Sequence, residues 1–205
     1  MTRSHRLHRS APALAALLLS AALAACSSSP PVRHYSLGPL AHSAGDVTAA
    51  SPDSSAGAGP SLIVGPVSLP DVIDRPQIVR IVDGVRVEVA DTHRWSGTLR
   101  NEIARRLATG IAHDRHLGRV VAWPASSVVQ PDYTVPVDIQ RLETTAFDHV
   151  TLEAVWTLRH AGKDVAGGRF VATEKIEGGT YEGLAAAHGR LVDALAREIG
   201  GKVGR

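Results

Sequence analysis

The feature that most constrains the fold is a strict alternation of apolar and polar residues in the second half of the chain. Residues 132–142, 150–158 and 170–176 each follow this pattern. A period of two is typical of strands that bury one face and expose the other. These segments therefore predict an antiparallel meander, with turns at Gly162 and at the glycine pair 167–168.

Two amphipathic helices are predicted on either side of this meander. The first begins near Trp95 or Ser96 and has an apolar stripe with helical spacing: Leu99, Ile103, Leu107 and Ile111. The second spans residues 181–199, with Thr180 as its N-cap and the glycine pair 200–201 at its end. The charged residues between the apolar positions are predicted to face solvent: Arg100, Glu102, Arg105 and Arg106 in the first helix, and Arg190, Asp193, Arg197 and Glu198 in the second.

Shorter strands are predicted before the first helix and just after it. Residues 61–64 form an apolar strand that ends at Gly65-Pro66, and residues 119–123 form another. Residues 77–81 and 85–89 flank Asp83-Gly84, a dipeptide typical of tight hairpin turns. The whole pattern predicts an α/β fold: a single domain with a mixed, mostly antiparallel sheet of about seven strands and two amphipathic helices packed on it.

The N-terminus has the features of an export signal. Several arginines precede an apolar run at residues 11–25, which is shorter than the roughly 20 residues of a membrane-spanning helix. Residues 23–26, Leu-Ala-Ala-Cys, match the lipobox pattern. We therefore expect a signal peptide at residues 1–25, cleavage before Cys26, and acyl and diacylglycerol groups on Cys26. The alternative is an ordinary signal peptide cut after Ala24, which leaves one free thiol.

The residue after the cysteine indicates which membrane carries the anchor. Ser27 stands where an aspartate commonly retains lipoproteins in the inner membrane, so we expect an outer-membrane anchor that faces the periplasm. Residues 26–60 are predicted to be a lipidated tether with a first strand at 32–37 and a flexible Ala/Ser/Gly loop at 41–60. Residues 61–205 are predicted to be the folded domain.

The charge balance argues against a nucleic-acid partner. The chain has 22 Lys and Arg against 20 Asp and Glu, and three of the arginines lie in the predicted signal peptide, so the mature chain has 19 against 20. A nearly neutral chain has no basic footprint. Because Cys26 is the only cysteine, the sequence predicts neither disulfides nor a cysteine metal site.

No motif of a catalytic or metal site is present, so we expect no enzyme activity and no cofactor or metal. His113 and His116 lie at a helix end, but zinc needs three or four ligands, and a polar helix terminus is the favoured interpretation. A nucleophile elbow, a P-loop and a dinucleotide fingerprint are all missing from the sequence. Trp95, Trp123 and Trp156 are favoured as core anchors, with the lining of a ligand groove as the alternative.

Several segments resemble a known family. They are the lipobox, the strand with Tyr35-Ser36-Leu37, Val64-Gly65-Pro66-Val67, Leu69-Pro70, Asp74-Arg75-Pro76-Gln77-Ile78-Val79, Arg94-Trp95, the Tyr133 strand and Ala186-Ala187-His188-Gly189-Arg190-Leu191. With these segments the chain resembles the PqiC (paraquat-inducible protein C) or YmbA-type lipoproteins, the ABC-type transport auxiliary lipoprotein components. The loop at 41–60 is longer than is usual in that family.

This resemblance implies a noncatalytic outer-membrane subunit of an MCE/Pqi-type lipid transport system. Such a subunit docks a periplasm-spanning MCE-domain tunnel protein and supports envelope integrity, with a homo-oligomer as one form of assembly. Alternatives are a lipoprotein that itself carries phospholipid and, less favoured, a metal-dependent periplasmic enzyme. Cys26 carries over as the lipidation site. Six further positions carry over as a family signature with a role in either folding or docking: Pro70, Asp74, Arg75, Pro76, Gln77 and Trp95.

Overall fold

A computed structural model describes residues 30–38 and 59–204 of the chain. The predicted signal peptide, Cys26 and most of the predicted loop at 41–60 lie outside the described residues. The described part contains eight strands: β1 (Arg33–Tyr35), β2 (Leu62–Ser68), β3 (Gln77–Val82), β4 (Arg86–Trp95), β5 (Val120–Ala122), β6 (Tyr133–Thr145), β7 (His149–His160) and β8 (Lys163–Lys175). It also contains the helices α1 (Leu99–Arg115) and α2 (Tyr181–Gly200), with a short 3-10 turn, Glu177–Gly179, before α2.

All eight strands belong to one sheet that branches at β6. On one edge β6 pairs with β7, and β7 pairs with β8. On the other edge β6 pairs first with β2 and then, at its C-terminal end, with β3. β5 extends the branch of β2, whereas β4 and β1 extend the branch of β3. One mixed sheet with two helices confirms the predicted α/β class.

The prediction of a mostly antiparallel sheet is wrong. Among the described strands, four of the seven pairings are parallel: β1 with β4, β2 with β5, β2 with β6, and β3 with β6. The predicted meander of β6, β7 and β8 and the β3–β4 hairpin are the antiparallel pairings. Alternation of apolar residues shows which face is buried and says nothing of strand direction, so the crossover through α1 that places β5 parallel to β2 escaped prediction.

Three predicted boundaries also need correction. β2 continues through Gly65-Pro66 to Ser68, with a register shift that absorbs the dipeptide. Trp95 ends β4, and α1 begins only at Leu99, because Trp95 pairs with Tyr35 of β1. The glycine pair 167–168 lies inside β8 rather than in a turn, and Gly168 leaves space beside the ring of Trp156.

The core lies between the sheet and the two helices. The predicted stripe of α1 is buried, and α2 contributes the largest set of fully buried leucines: Leu184, Leu191 and Leu195. Each such side chain stabilises the fold by roughly 1.5–3 kcal/mol. The start of α2 is as predicted, because the side chain of Thr180 accepts a hydrogen bond from the Gly183 N–H at 3.1 Å. Trp95 and Trp156 are core residues, but Trp123 is 52% exposed, so its assignment as a core anchor is wrong.

Candidate docking site

The signature positions lie where the chain leaves the sheet between β2 and β3. Both strands run parallel to β6 on the same edge, β2 as far as Asp138 and β3 only at Thr145. Between them the chain makes a detour over residues 69–76, which we call the detour loop. In the described structure no strand therefore pairs with residues 139–144 on this edge of β6.

Hydrogen bonds and an ion pair hold the detour loop in shape. The carbonyl of Pro70 accepts from the N–H groups of Ile73 and Asp74, at 3.0 and 3.2 Å. The Asp74 carboxylate pairs with the Arg100 guanidinium on the first turn of α1. The loop is thus fastened to the helix layer at Asp74, while Val72 and Arg75 are left exposed.

An apolar cavity of about 110 Å³ opens where the detour loop, the β3–β4 hairpin and β6 meet. We call it the seam groove. Its apolar lining comes from all three elements: Pro70, Val72, Ile73, Val79, Ile81, Val87 and Leu142. Val72 and Val87 are 44% and 45% exposed, and Val85 at the hairpin tip is 89% exposed. These apolar side chains are therefore in contact with water, and a monomer gains no stability from exposing them.

The hairpin valines lie on the sheet face opposite the helices. Arg80 and Glu88 are paired across the hairpin at 2.7 Å, and the Arg80 guanidinium lies 4.0 Å from the ring centre of Phe147 and 5.8 Å from that of Tyr181 on α2. Because side chains alternate along a strand, the next pair, Ile81 and Val87, projects to the other face. The strand predicted at 85–89 is present as the start of β4, but a half-buried strand is expected to turn its valines toward the core, so the sequence did not predict the groove.

A second cavity, of about 290 Å³, lies at the other end of the detour loop. Its lining includes four of the six signature residues, together with the β4–α1 connection: Asp74, Arg75, Pro76, Trp95, Ser96, Gly97, Thr98 and Leu99. The Pro76 carbonyl accepts from the Trp95 N–H at 2.7 Å, and Gln77 pairs with Arg94. Pro76, Gln77 and Trp95 therefore make contacts within the sheet, whereas Pro70 lines the seam groove and Arg75 is exposed.

The first strand is clamped to the domain by aromatic side chains. Tyr35 Oη lies 2.7 Å from His93 Nδ1, and the His93 ring stacks on Tyr181 with 3.7 Å between the ring centres. Partial burial lowers the pKa of His93 and raises that of Tyr35. The predicted strand at 32–37 is present, although only Arg33–Tyr35 pair, in parallel with His93–Trp95.

A buried charge fastens the residues that follow β1. Arg106 and Asp193, both predicted to face solvent, are buried and paired with each other. Arg106 also donates to the carbonyl of Leu37 at 2.7 Å and to that of Gly38. Sequence periodicity cannot identify such a pair, because each charged residue falls at the border of its helix's apolar stripe.

Three histidines of the described chain, His188, His113 and His116, have roles in packing or at a helix end. His188 is buried, its Nδ1–H donates to the Leu184 carbonyl at 2.9 Å, and its ring meets the edge of Trp95 at 5.3 Å. Burial lowers the pKa of His188 to about 4. His113 is in the last turn of α1 and His116 is its left-handed C-cap. Among the described residues no three His, Cys, Asp or Glu side chains gather as metal ligands.

Comparison with known families identifies the chain. The family model of the ABC-type transport auxiliary lipoprotein component matches residues 43–200, which is more than half of the chain. The chain belongs to this family. The predicted family relationship is therefore confirmed, and the protein is an auxiliary component of transport. No curated protein shows significant similarity to it.

Solved structures support the fold of this auxiliary lipoprotein. A crystal structure of an uncharacterized protein has a TM-score of 0.66 at 17% identity and covers 85% of this chain and 100% of its own. Protein XCC0632 from Xanthomonas campestris, of family DUF330, has a TM-score of 0.63 at 16% identity, with 84% and 93% covered. In the described part of the auxiliary lipoprotein, neither helix is long and apolar enough to cross a membrane.

Proposed function

We propose that the protein is a noncatalytic subunit anchored in the outer membrane, which docks the periplasmic MCE-domain protein of a lipid transport system. The observation that carries the proposal is the seam groove. In a member of a transport auxiliary family, the detour loop leaves the sheet and exposes Val72 beside Val87 of the hairpin. A partly exposed apolar groove with polar surroundings is typical of a protein interaction site.

The anchor of this subunit is the thioether on Cys26. Arg33, the first residue of β1, follows Cys26 by seven positions, which limits the tether to about 25 Å at ~3.5 Å per residue. The clamp of Tyr35 on His93 and the bonds from Arg106 to Leu37 and Gly38 fasten β1 and the residues after it to the rest of the domain. A domain held so close to the lipid remains at the membrane, where it supports envelope integrity by keeping the transporter in place.

The dimensions of the seam groove favour a docking role over that of a lipid carrier. Sites that enclose drug-sized molecules occupy about 300–1,000 Å³, whereas the groove holds about 110 Å³. The larger cavity of about 460 Å³ beside β1 is lined partly by the charged residues Arg106, Glu182 and Arg190, which an acyl chain does not favour. The buried charged groups Arg106 and Asp193 are engaged with each other, which supports a noncatalytic role.

A pull-down from cell envelopes tests the proposal. The tagged full-length protein is purified after mild detergent extraction, and the MCE-domain protein is expected to co-purify with it. The matched control is Cys26→Ala, which is expected to appear in the soluble periplasmic fraction and to fail in complementation of an envelope-permeability defect. Repeated absence of any MCE-domain protein would contradict the transporter assignment, and full complementation by Cys26→Ala would contradict the role of the anchor.

A further inference from the structure

We propose that the seam groove binds an extended apolar segment of a partner protein, which adds a strand to the open edge of β6. The inference rests on the proposed function only for the identity of the partner. Its basis is the juxtaposition of a strand edge that no described strand pairs with and an apolar groove at the branch point of the sheet.

The first observation is the open edge itself. β6 is paired with β2 as far as Asp138 and with β3 at Thr145, and no described strand occupies residues 139–144 on that side. At ~3.3 Å per residue these residues span roughly 20 Å, which is enough for a short strand. Unpaired N–H and C=O groups on a strand edge are a template for another extended chain.

The second observation is the chemistry beside this edge. Val72 and Ile73 on one side, and Val79, Ile81 and Val87 on the other, supply apolar contacts. A cavity of about 110 Å³ is smaller than the engineered 150 Å³ cavity that binds a molecule such as benzene, so it suits one aliphatic side chain. Every second residue of an added strand points to the same face, so one or two side chains enter the groove.

The third observation distinguishes a peptide from a lipid. The rim of the seam groove carries Arg141 and Glu143, which lie 3.8 Å apart and balance each other's charge. An anionic lipid headgroup gains no net attraction from such a rim. Thr144, which also lines the cavity, is buried, and its Oγ1 has no hydrogen-bond partner among the described residues. A backbone that runs along β6 supplies hydrogen bonds that an acyl chain cannot supply.

Hydrogen–deuterium exchange on the purified Cys26→Ala protein, which needs no detergent because it lacks the acyl chains, tests the inference. Three probes are added separately: the periplasmic part of the MCE-domain protein, a synthetic peptide of alternating Thr and Val with Lys at both ends, and vesicles of phosphatidylethanolamine and phosphatidylglycerol. The first two probes are expected to slow exchange by at least about tenfold at those amides of residues 139–144 that do not bond to β7. The vesicles are expected to leave these amides unchanged.

A pair of valine substitutions supplies the matched control. Val87→Asp places a charge in the seam groove and is expected to weaken peptide binding at least about tenfold, because a valine contributes 1.5 kcal/mol or more when fully buried. Val32→Asp changes an equally exposed valine just before β1, 43% against 45%, and is expected to leave binding unchanged. Thermal unfolding of both variants checks that each is folded.

Each outcome decides the inference. If the peptide protects residues 139–144 and the MCE-domain protein does not bind, the strand addition stands and the transporter assignment fails. If the MCE-domain protein binds without protecting these residues, and binds Val87→Asp as tightly as the natural chain, the strand addition is overturned and the proposed function stands. Protection by vesicles alone, or by no probe, also overturns it.

Discussion

Arg106 on α1 and Asp193 on α2 form a buried bidentate ion pair, with both N–O distances at 2.7 Å. The same guanidinium donates to the backbone carbonyl of Leu37, just beyond β1. One buried cation thus joins the two helices to the segment that leads toward the predicted lipid anchor. Buried charges are stable only when every partner is present, so this group makes the position of the N-terminal segment depend on the packing of the helices.

Arg106→Met is expected to destabilise the fold by about 3–5 kcal/mol, because it leaves the Asp193 carboxylate buried without its partner. Urea unfolding followed by circular dichroism measures the change. The control is Arg105→Met, since Arg105 is exposed and, among the described residues, is paired with Glu102 one turn away; its loss is expected to cost less than about 1 kcal/mol. The double variant Arg106→Met with Asp193→Leu is expected to lose less than the two single changes together, and strict additivity would contradict the pairing.

Gly189→Ala tests the close approach of the N-terminal segment to α2. A Cβ at this position would lie 2.3 Å from the Leu37 carbonyl oxygen and 3.0 Å from Cζ of Arg106, so the segment after β1 has to move. We expect a loss of about 1–3 kcal/mol in urea unfolding despite the higher helix propensity of alanine. Gly200→Ala on the same helix meets only ordinary contacts with Arg115 and is expected to change stability by less than about 1 kcal/mol. Equal stabilities of the two variants would refute the contact.

His188 predicts a loss of stability in mild acid. Its pKa is about 4 in the folded protein and about 6.5 in the unfolded chain, so the unfolded chain binds more protons between these values. Stability is therefore complete above pH 6.5 and falls as the pH drops toward 4, by about 2 kcal/mol between pH 7.5 and pH 5. Urea unfolding at both pH values measures this. His188→Leu is expected to remove that part of the pH dependence, whereas His34→Gln, at an exposed position, leaves it intact.

Helices, caps and turns, whose structure depends on residues close in the chain, were predicted from local sequence patterns. The buried leucines of α2 follow from helical periodicity, and the Thr180 cap follows from the preference of threonine for the N-cap position. The hairpin follows from Asp83 and Gly84, which both have positive φ. Strand direction depends on contacts between distant segments. Leu62 pairs in parallel with Val120, and a hairpin and α1 lie between them in the chain. The alternation within a single strand does not indicate this direction.

In the candidate site, too, features set by neighbouring residues were predicted and features set by distant segments were not. The run from Asp74 to Gln77 was identified by resemblance, yet only the structure separates its members, with Gln77 in β3 and Arg75 exposed. Val87 escaped prediction because an alternating strand is expected to bury its apolar residues, and here they face outward. Arg106 escaped because its partner lies on a helix far along the chain. Both failures arise where a residue's environment is made by segments distant in sequence.

The ion pair between Asp74 and Arg100 tests whether the detour loop acts in docking or in folding. The Arg100 and Asp74 side chains are 46% and 28% exposed, so Asp74→Asn and Arg100→Gln are each expected to reduce stability by less than about 1 kcal/mol. The loop then loses its attachment to α1, and its groove residues Val72 and Ile73 no longer hold one position. We expect both variants to recover several-fold less MCE-domain protein in the pull-down, and the double variant to lose no more than either alone, since the two residues act through one contact.

The matched control for this prediction is Arg169→Gln, which breaks the exposed pair of Arg169 with Glu153 at 2.6 Å, remote from the detour loop in the sheet order. It is expected to show the same small change in unfolding and full recovery of the partner. Unchanged recovery for Asp74→Asn, together with a loss of more than about 2 kcal/mol in unfolding, would instead assign this signature position to the fold, because an exposed pair that only docks a partner does not carry so much stability.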